Sequence, residues 1–185
     1  MKNKAYDIAS YSYKKGEIFL FDANIWLYIS APPSSATVGQ WNKKYSQALK
    51  DILSAHSRLV VSSTILSEYL NRYCRIEWEA LHKATHPNFK KFRQSSAFNA
   101  IGIQAAAEAN QILSLCGKYN DHFETCNVGP MLTQFENGSL DFNDGMISHF
   151  CSAHDCKLVT NDADFTMGGI EILTANRSLL AACPC

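Results

Sequence analysis

The apolar positions of this chain fall into short unbroken runs separated by longer stretches with helical spacing. Glu17-Ile18-Phe19-Leu20-Phe21-Asp22 is a continuous apolar run bounded by charge. It is too short for a helix, and its lack of alternation suits a strand covered on both faces of a parallel sheet. Arg58–Val61 and Lys157–Thr160 are runs of the same kind, and Ile170–Thr174 forms a last one after Gly168-Gly169. Between the runs, Ile25–Ile29 is a short apolar segment closed by Pro32-Pro33. Residues 32–40 read as loop. Trp41–His56 places Trp41, Tyr45, Ala48, Leu49 and Ile52 on one helical face. Ser62 and Ser63 supply an N-cap to a helix carrying Ile65, Leu66, Tyr69, Leu70, Tyr73 and Ile76. Ala97–Lys118 predicts a long alanine-rich helix with Gly117 as its stop, and Met146, Ile147, Phe150, Cys151 and Ala153 predict another. His122–Val128 reads as a short strand or edge segment, Gly129-Pro130 as a turn and Met131–Phe135 as a short helix. Strands alternate with helices along most of the chain, which predicts a three-layer α/β domain with a mainly parallel sheet.

The ends are less regular. Residues 1–16 are polar and aromatic without a period and read as an arm, leaving residues 17–182 as a single domain. Residues 176–182 predict a terminal helix or tail.

Composition narrows the class only a little. The chain has 185 residues, 46% apolar and 18% charged, with 17 basic and 17 acidic side chains. That describes a globular domain with no global attraction for nucleic acid or an anionic membrane surface, although a local basic patch remains open. No stretch approaches a membrane span, and the first residues lack a signal peptide's apolar run, so a cytoplasmic address is expected. Seven cysteines in such a chain are expected to be reduced. Cys151/Cys156 and Cys183/Cys185 have loose metal-ligand spacing, but neither has a CxxC partner, so zinc is not expected. The two tail cysteines are expected to be exposed.

The acids are more informative. Ser139–Phe165 concentrates them, with Asp141 and Asp144 at the head of one helix and Asp162 and Asp164 in the turn after a short strand. Asp22 ends the first strand, where an open parallel sheet collects its reactive groups, and equally could cap the helix that follows. Glu68 lies in the second turn of its helix and, taken alone, reads as a solvated side chain. With parallel strands, Asp22, Asp162 and the start of the Glu68 helix share one sheet edge, which Asp144 joins if its helix opens on that side. Four carboxylates gathered there would repel one another unless a cation sat among them. Oxygen ligands without histidine or thiolate favour Mg²⁺ or Mn²⁺ over zinc. Elsewhere, Lys83, Lys90, Lys91 and Arg93 are interleaved with Trp78, Phe89 and Phe92, a mixture that suits a phosphate backbone with stacked bases and equally an ordinary solvated helix and loop.

These segments together resemble the PIN domain, a nuclease fold widespread as the toxin of VapBC-type toxin–antitoxin pairs. Ile18–Asn24 is similar to its first strand with the opening Asp, and Ser63-Thr64-Ile65-Leu66-Ser67-Glu68 to the helix that delivers a Glu. Asp144-Gly145-Met146-Ile147 resembles its third motif. Leu158–Phe165 resembles the fourth, and is the most specific of them. The resemblance covers residues 17 to about 174, with Asp144 and Asp162 separated by 18 positions. Two departures stand out: Ala23 where Thr is common, and 76 positions between Glu68 and Asp144, which implies a helical insertion over 78–137.

The resemblance implies a metal-dependent endoribonuclease. Asp22, Asp144 and Asp162 would hold one or two ions, and Glu68 would act as ligand or water-orienting base. Asn24 and Thr160 would give hydrogen-bonding support, Asp164 and Asp141 would be of second rank, and RNA would be the substrate. A cognate antitoxin and a homodimer are implied by family habit alone. A flap-type or single-strand DNA nuclease uses the same acids. A partner-binding module that keeps the acids as remnants is a third possibility, which the presence of all four opposes. A haloacid-dehalogenase phosphatase needs a second Asp where Asn24 stands.

Overall fold

In the computed structural model, which describes residues 1–35 and 39–184, the apolar runs become neighbouring strands. Ile18–Phe21 (β2) pairs on one side with Arg58–Val61 (β3) and on the other with Lys157–Val159 (β5), both in parallel. Phe19, Leu20 and Phe21 are all 0% exposed. Successive side chains of a strand point to opposite faces, so burial of all three means that both faces of the sheet are covered. Glu171–Thr174 (β6) lies beyond β5, and Gly117–Lys118 (β4) beyond β3.

The sheet is completed at an edge where the sequence showed no period. Lys4–Asp7 (β1) pairs in parallel with β6, giving the order β1-β6-β5-β2-β3-β4. The arm expected over residues 1–16 is therefore corrected in its first part. An edge strand buries only some of its positions, here Ala5 alone among the four, so the hydrophobic signal is nearly absent. Asn3 is 2% exposed and ties this edge down. Its Nδ2 donates to the carbonyls of Phe165 and Met167, both at 3.0 Å, and its Oδ1 accepts from the Ile170 N–H at 3.0 Å. Gly168 meets this brace closely. It sits at φ +138°, and a Cβ there would come within 3.0 Å of Ser148 Oγ and 3.2 Å of Asn3 Oδ1.

Helices occupy the connections. Ala23–Ile29 (α1) follows β2, and Gly39–Ser54 (α2) precedes β3. The loop expected over 32–40 falls partly on residues 36–38, which lie outside the described residues. Ser63–Glu77 (α3) is capped by Ser62, whose side chain accepts from the Ile65 N–H. A π-helical turn, Trp78–His82, continues it, followed by Phe89–Phe92 (α4). Asn99–Leu115 (α5) packs against α3 with Ile101, Ala105, Ala109 and Ile112 buried, then delivers β4. The edge segment expected over 122–128 is instead a 3-10 turn, Phe123–Thr125, leading into Val128–Glu136 (α6). Gly129-Pro130 does not turn the chain; it lies in the first turn of α6, where proline's missing N–H costs nothing. Phe142–Ala153 (α7) packs against α6, and Arg177–Ala182 (α8) closes the chain against β1 and β6. Cys183 is 0% exposed rather than exposed as expected, because α8 folds the tail back onto the first strand. Its carbonyl accepts from the Ala5 N–H at 2.8 Å. Cys185 lies outside the described residues.

Asn3→Ala should destabilise the protein by about 2–3 kcal/mol, since it strips partners from two buried backbone groups and one part-buried one. Urea unfolding of the variant measures this; a change within about 0.5 kcal/mol, as for an ordinary surface position, would mean that the N-terminal strand carries no weight.

Candidate functional site

The register of the three central strands decides what meets at their C-terminal edge. Phe21 pairs with Val159, and Leu20 with Val60, so Asp22, Thr160 and Ser62 stand one residue past the sheet at the same level. Asp22 occupies the N-cap position of α1, yet its carboxylate makes no capping bond across the first turn. It is 5% exposed and directed at its neighbours instead. Oδ2 accepts from Thr160 Oγ1 at 2.7 Å and from Asn24 Nδ2 at 2.6 Å. Thr160 is itself a hub: its hydroxyl accepts from Asn24 Nδ2 at 3.2 Å and from the Asp162 N–H at 3.1 Å. One hydroxyl thus couples the carboxylate of the first strand to the backbone of the turn that carries Asp162.

The remaining acids approach from helices and from that turn. Glu68, half-buried, comes from the second turn of α3. Asp144, also half-buried, lies in the first turn of α7, and Asp141 caps that helix through a 2.8 Å bond from the Asn143 N–H. Gly145 lets this end of α7 approach its neighbours. A Cβ there would stand 3.0 Å from Leu140 Cδ2 and 3.2 Å from Met131 Sδ. Asp164 is exposed and donates its N–H to Asp162 Oδ1 at 3.0 Å, which shapes the turn.

Electrostatics show which acids share a field. Burial, first, lifts the Asp22 carboxyl to about 6; Glu68 and Asp162 add to the rise, and the Thr160 bond and the Ala23 amide oppose it. Asp144 is lifted to about 7 by burial and then by Asp162, Asp141, Asp22 and Glu68. Glu68 is raised by burial, with Asp141 and Asp162 contributing and Arg72 opposing. Asp22, Glu68, Asp144 and Asp162 therefore stand in one electrostatic cluster with Asp141 beside it, while Asp164 does not figure in it.

The donor set fits a hard divalent cation. It is all oxygen, and it holds more negative charge than its surroundings neutralise. Among the described residues no three metal-ligating side chains already stand at the spacing that closes round one ion, so the carboxylates are gathered without being clenched.

Several contributors escape a reading of the sequence. Asn161 donates its N–H to Asn24 Oδ1 at 3.3 Å, and its own Oδ1 accepts from Tyr45 Oη at 2.8 Å, which braces the turn against α2. Asn161 lies within the fourth motif without being given a role there, and Tyr45 lies in no motif. Arg72 is the cation whose charge opposes the rise at Glu68, and its position four residues on is the one signal that could have found it. Of the four predicted phosphate contacts, Lys90 and Arg93 line a cavity beside α3. Lys83 lies over the Trp78 ring with Nζ 5.5 Å from its centroid, and Lys91 lines neither that cavity nor the one at Glu68.

Known proteins share this fold. A family model described as PIN domain matches residues 19–167. No curated protein matches the chain. A chain of the crystal structure of VapBC2 from Rickettsia felis, bound to a DNA fragment from their promoter, superposes with a TM-score of 0.53 at 18% identity. The match covers 85% of this chain and 98% of that one, a likeness of fold.

The raised carboxyls carry a stability consequence. Their contribution is fully present below the ordinary value of 3.8 and is lost as pH rises through about 6 for Asp22 and about 7 for Asp144. In metal-free buffer, Asp144→Asn should therefore raise Tm at pH 8, by about 2–4 °C for each kcal/mol relieved. The gain should shrink towards zero at pH 4, where the native carboxyl is already neutral. Thermal melts at the two pH values test this, and a gain independent of pH would contradict it.

Proposed function

This chain belongs to the PIN domain family, and from that premise we propose that it is a divalent-metal-dependent endoribonuclease, the toxin of a type II toxin–antitoxin pair. The observation that carries the reading is the cluster itself. Four carboxylates from four separate elements converge on the C-terminal edge of the central strand, and burial with mutual repulsion raises three of them. A merely structural set of acids would relieve that repulsion with lysine or arginine; among the described residues Arg72 alone is a cation that opposes it, and only at Glu68. PIN domains are generally nucleases, which fits an edge built to gather negative charge around a cation.

Asp22, Glu68, Asp144 and Asp162 are the residues that would hold Mg²⁺ or Mn²⁺. Such an ion, when bound, lowers the pKa of a coordinated water and stabilises charge developing on a phosphodiester. The protein's own part is positional. Thr160 and Asn24 fix the Asp22 carboxylate through two bonds to one oxygen, so its orientation is set before any ligand arrives. The Asn161–Asn24 and Asn161–Tyr45 bonds hold the Asp162 turn in the same way. Glu68, with its raised carboxyl, is the group suited to orient and deprotonate an attacking water. The partners follow from the same reading. The VapBC2 likeness supports a cognate antitoxin, which copurification with a small DNA-binding protein encoded beside this chain would demonstrate; a second copy is the other expected partner, and a cytoplasmic address goes with both.

Purified protein should cut labelled single-stranded RNA only with Mg²⁺ or Mn²⁺ present, and Asp144→Asn should lower the rate about 100-fold or more. The same ions should raise the Tm of the native protein at pH 8 and leave that of Asp144→Asn nearly unchanged. Cutting of matched DNA alone would replace RNA as substrate. Failure to cut either strand, with no metal-induced rise in Tm, would overturn the nuclease.

A further inference from the structure

Helix α3 delivers Glu68 to the acid cluster, and its exposed face continues away from the cluster as a polar stripe. Thr64, Glu68, Asn71 and Arg75 recur at spacings of three and four, so they stand one above another. A cavity of about 570 Å³ opens along this stripe and is lined by Glu68, Asn71, Arg72 and Arg75, with Asn143 from the first turn of α7. A second, of about 620 Å³, lies against Phe89, Lys90 and Arg93 of the α4 region. Asn71 and Arg75 line both, so the two cavities form one trough leading from the acids to α4. At 1.5 Å per residue, Arg75 stands roughly 10 Å along the helix from Glu68.

The charge of the trough changes along its length. Among the described residues Glu68 is the only acid lining the first cavity and no acid lines the second, whereas Arg72, Arg75, Lys90 and Arg93 line one or both. This is a local concentration in a chain of zero net charge. Among the described residues the ion pairs are His122 with Glu124 and Lys157 with Glu17 and Glu171; none engages these four cations. Arg75 is held by an aromatic ring instead. Its guanidinium carbon lies 4.5 Å from the Phe89 ring centroid, and Phe89 in turn packs on Trp78 at 5.3 Å. That contact orients the guanidinium while leaving its five donors to bind oxygen. A path with carboxylates at one end and unpaired cations along the rest is complementary to a phosphate backbone whose scissile bond lies at the acids.

We propose that this trough is the track for the single-stranded RNA on one side of the cleaved bond, with Arg75, Lys90 and Arg93 contacting successive phosphates. The assignment rests on the nuclease reading for its direction, towards the acids, but the track can be tested without cleavage. Lys83 and Lys91 fall outside it.

The test uses full-length Asp144→Asn protein without divalent ion and a fluorescent single-stranded RNA of about 12 nucleotides, within the usual span of a single-strand groove. Anisotropy titrations across a series of salt concentrations give the slope of log Kd against log salt. Each lost phosphate contact should flatten that slope by about 0.7. We expect one such decrement for Arg75→Gln and about twice that for Lys90→Gln with Arg93→Gln. Lys50→Gln, on the exposed face of α2, should leave slope and affinity unchanged. All of these side chains are exposed, and unchanged thermal melts establish that the variants fold. Unaltered slopes in the trough variants, equal loss in Lys50→Gln, or undetectable RNA binding by the parent would each overturn the track. Binding of the matched DNA as tightly as the RNA would overturn RNA as its occupant. Flattened slopes in a protein that cuts nothing would uphold the track and sink the nuclease, so the two failures are separable.

Discussion

The structure turns on a carboxylate buried in the company of other carboxylates. Asp22 is nearly inaccessible, and burial and neighbouring charge both oppose its ionisation. Folding could avoid this cost by placing an apolar residue after the central strand. What offsets it here is the short bond from Thr160 with the bond from Asn24, both to the same oxygen. Charge-assisted bonds of this kind are about twice as strong as neutral ones. Asp22 is therefore held by its neighbours in a place where its charged form is disfavoured.

Sheet order explains why that state is possible. The chain runs from β2 outward through β3 to β4, then crosses back to place β5 on the other side of β2. Such a reversal opens a crevice at the carboxyl ends of the strands. The connections after β2, β3 and β5 begin there, so Asp22, the helix of Glu68 and the turn of Asp162 diverge around one point. Asp144 enters from the helix preceding β5. The first turn of α7 packs closely on Met131 and Leu140, and a side chain at Gly145 would have to displace them by a few tenths of an ångström.

Much of this was legible in the sequence because central elements write their environment plainly. β2, β3 and β5 are buried on both faces and read as unbroken apolar runs, and each is followed by a polar residue. The acids gained meaning from their order rather than singly. What stayed hidden lies where backbone, not side chains, does the pairing. β4 is two residues, Gly117 and Lys118, both exposed, and β1 buries a single alanine. The bonds of Asn161 to Asn24 and Tyr45 span separations of more than a hundred residues, which local periodicity does not register. The basic residues divided for a similar reason. Lys90 and Lys91 are adjacent in sequence, but a helix turns adjacent side chains about 100° apart, and only one of them faces α3.

The brace at Asn3 has one more consequence, in the order of synthesis. The first strand pairs with β6, and the turn bearing Asp162 is held on its far side by that same brace to Phe165, Met167 and Ile170. A ribosome making this chain therefore releases Asp22 and Glu68 early and must finish every element except β6 and α8 before the fourth acid emerges. The growing polypeptide therefore has no complete acid cluster until β5 and the turn after it have been made, and the brace on that turn closes only once Ile170 has followed.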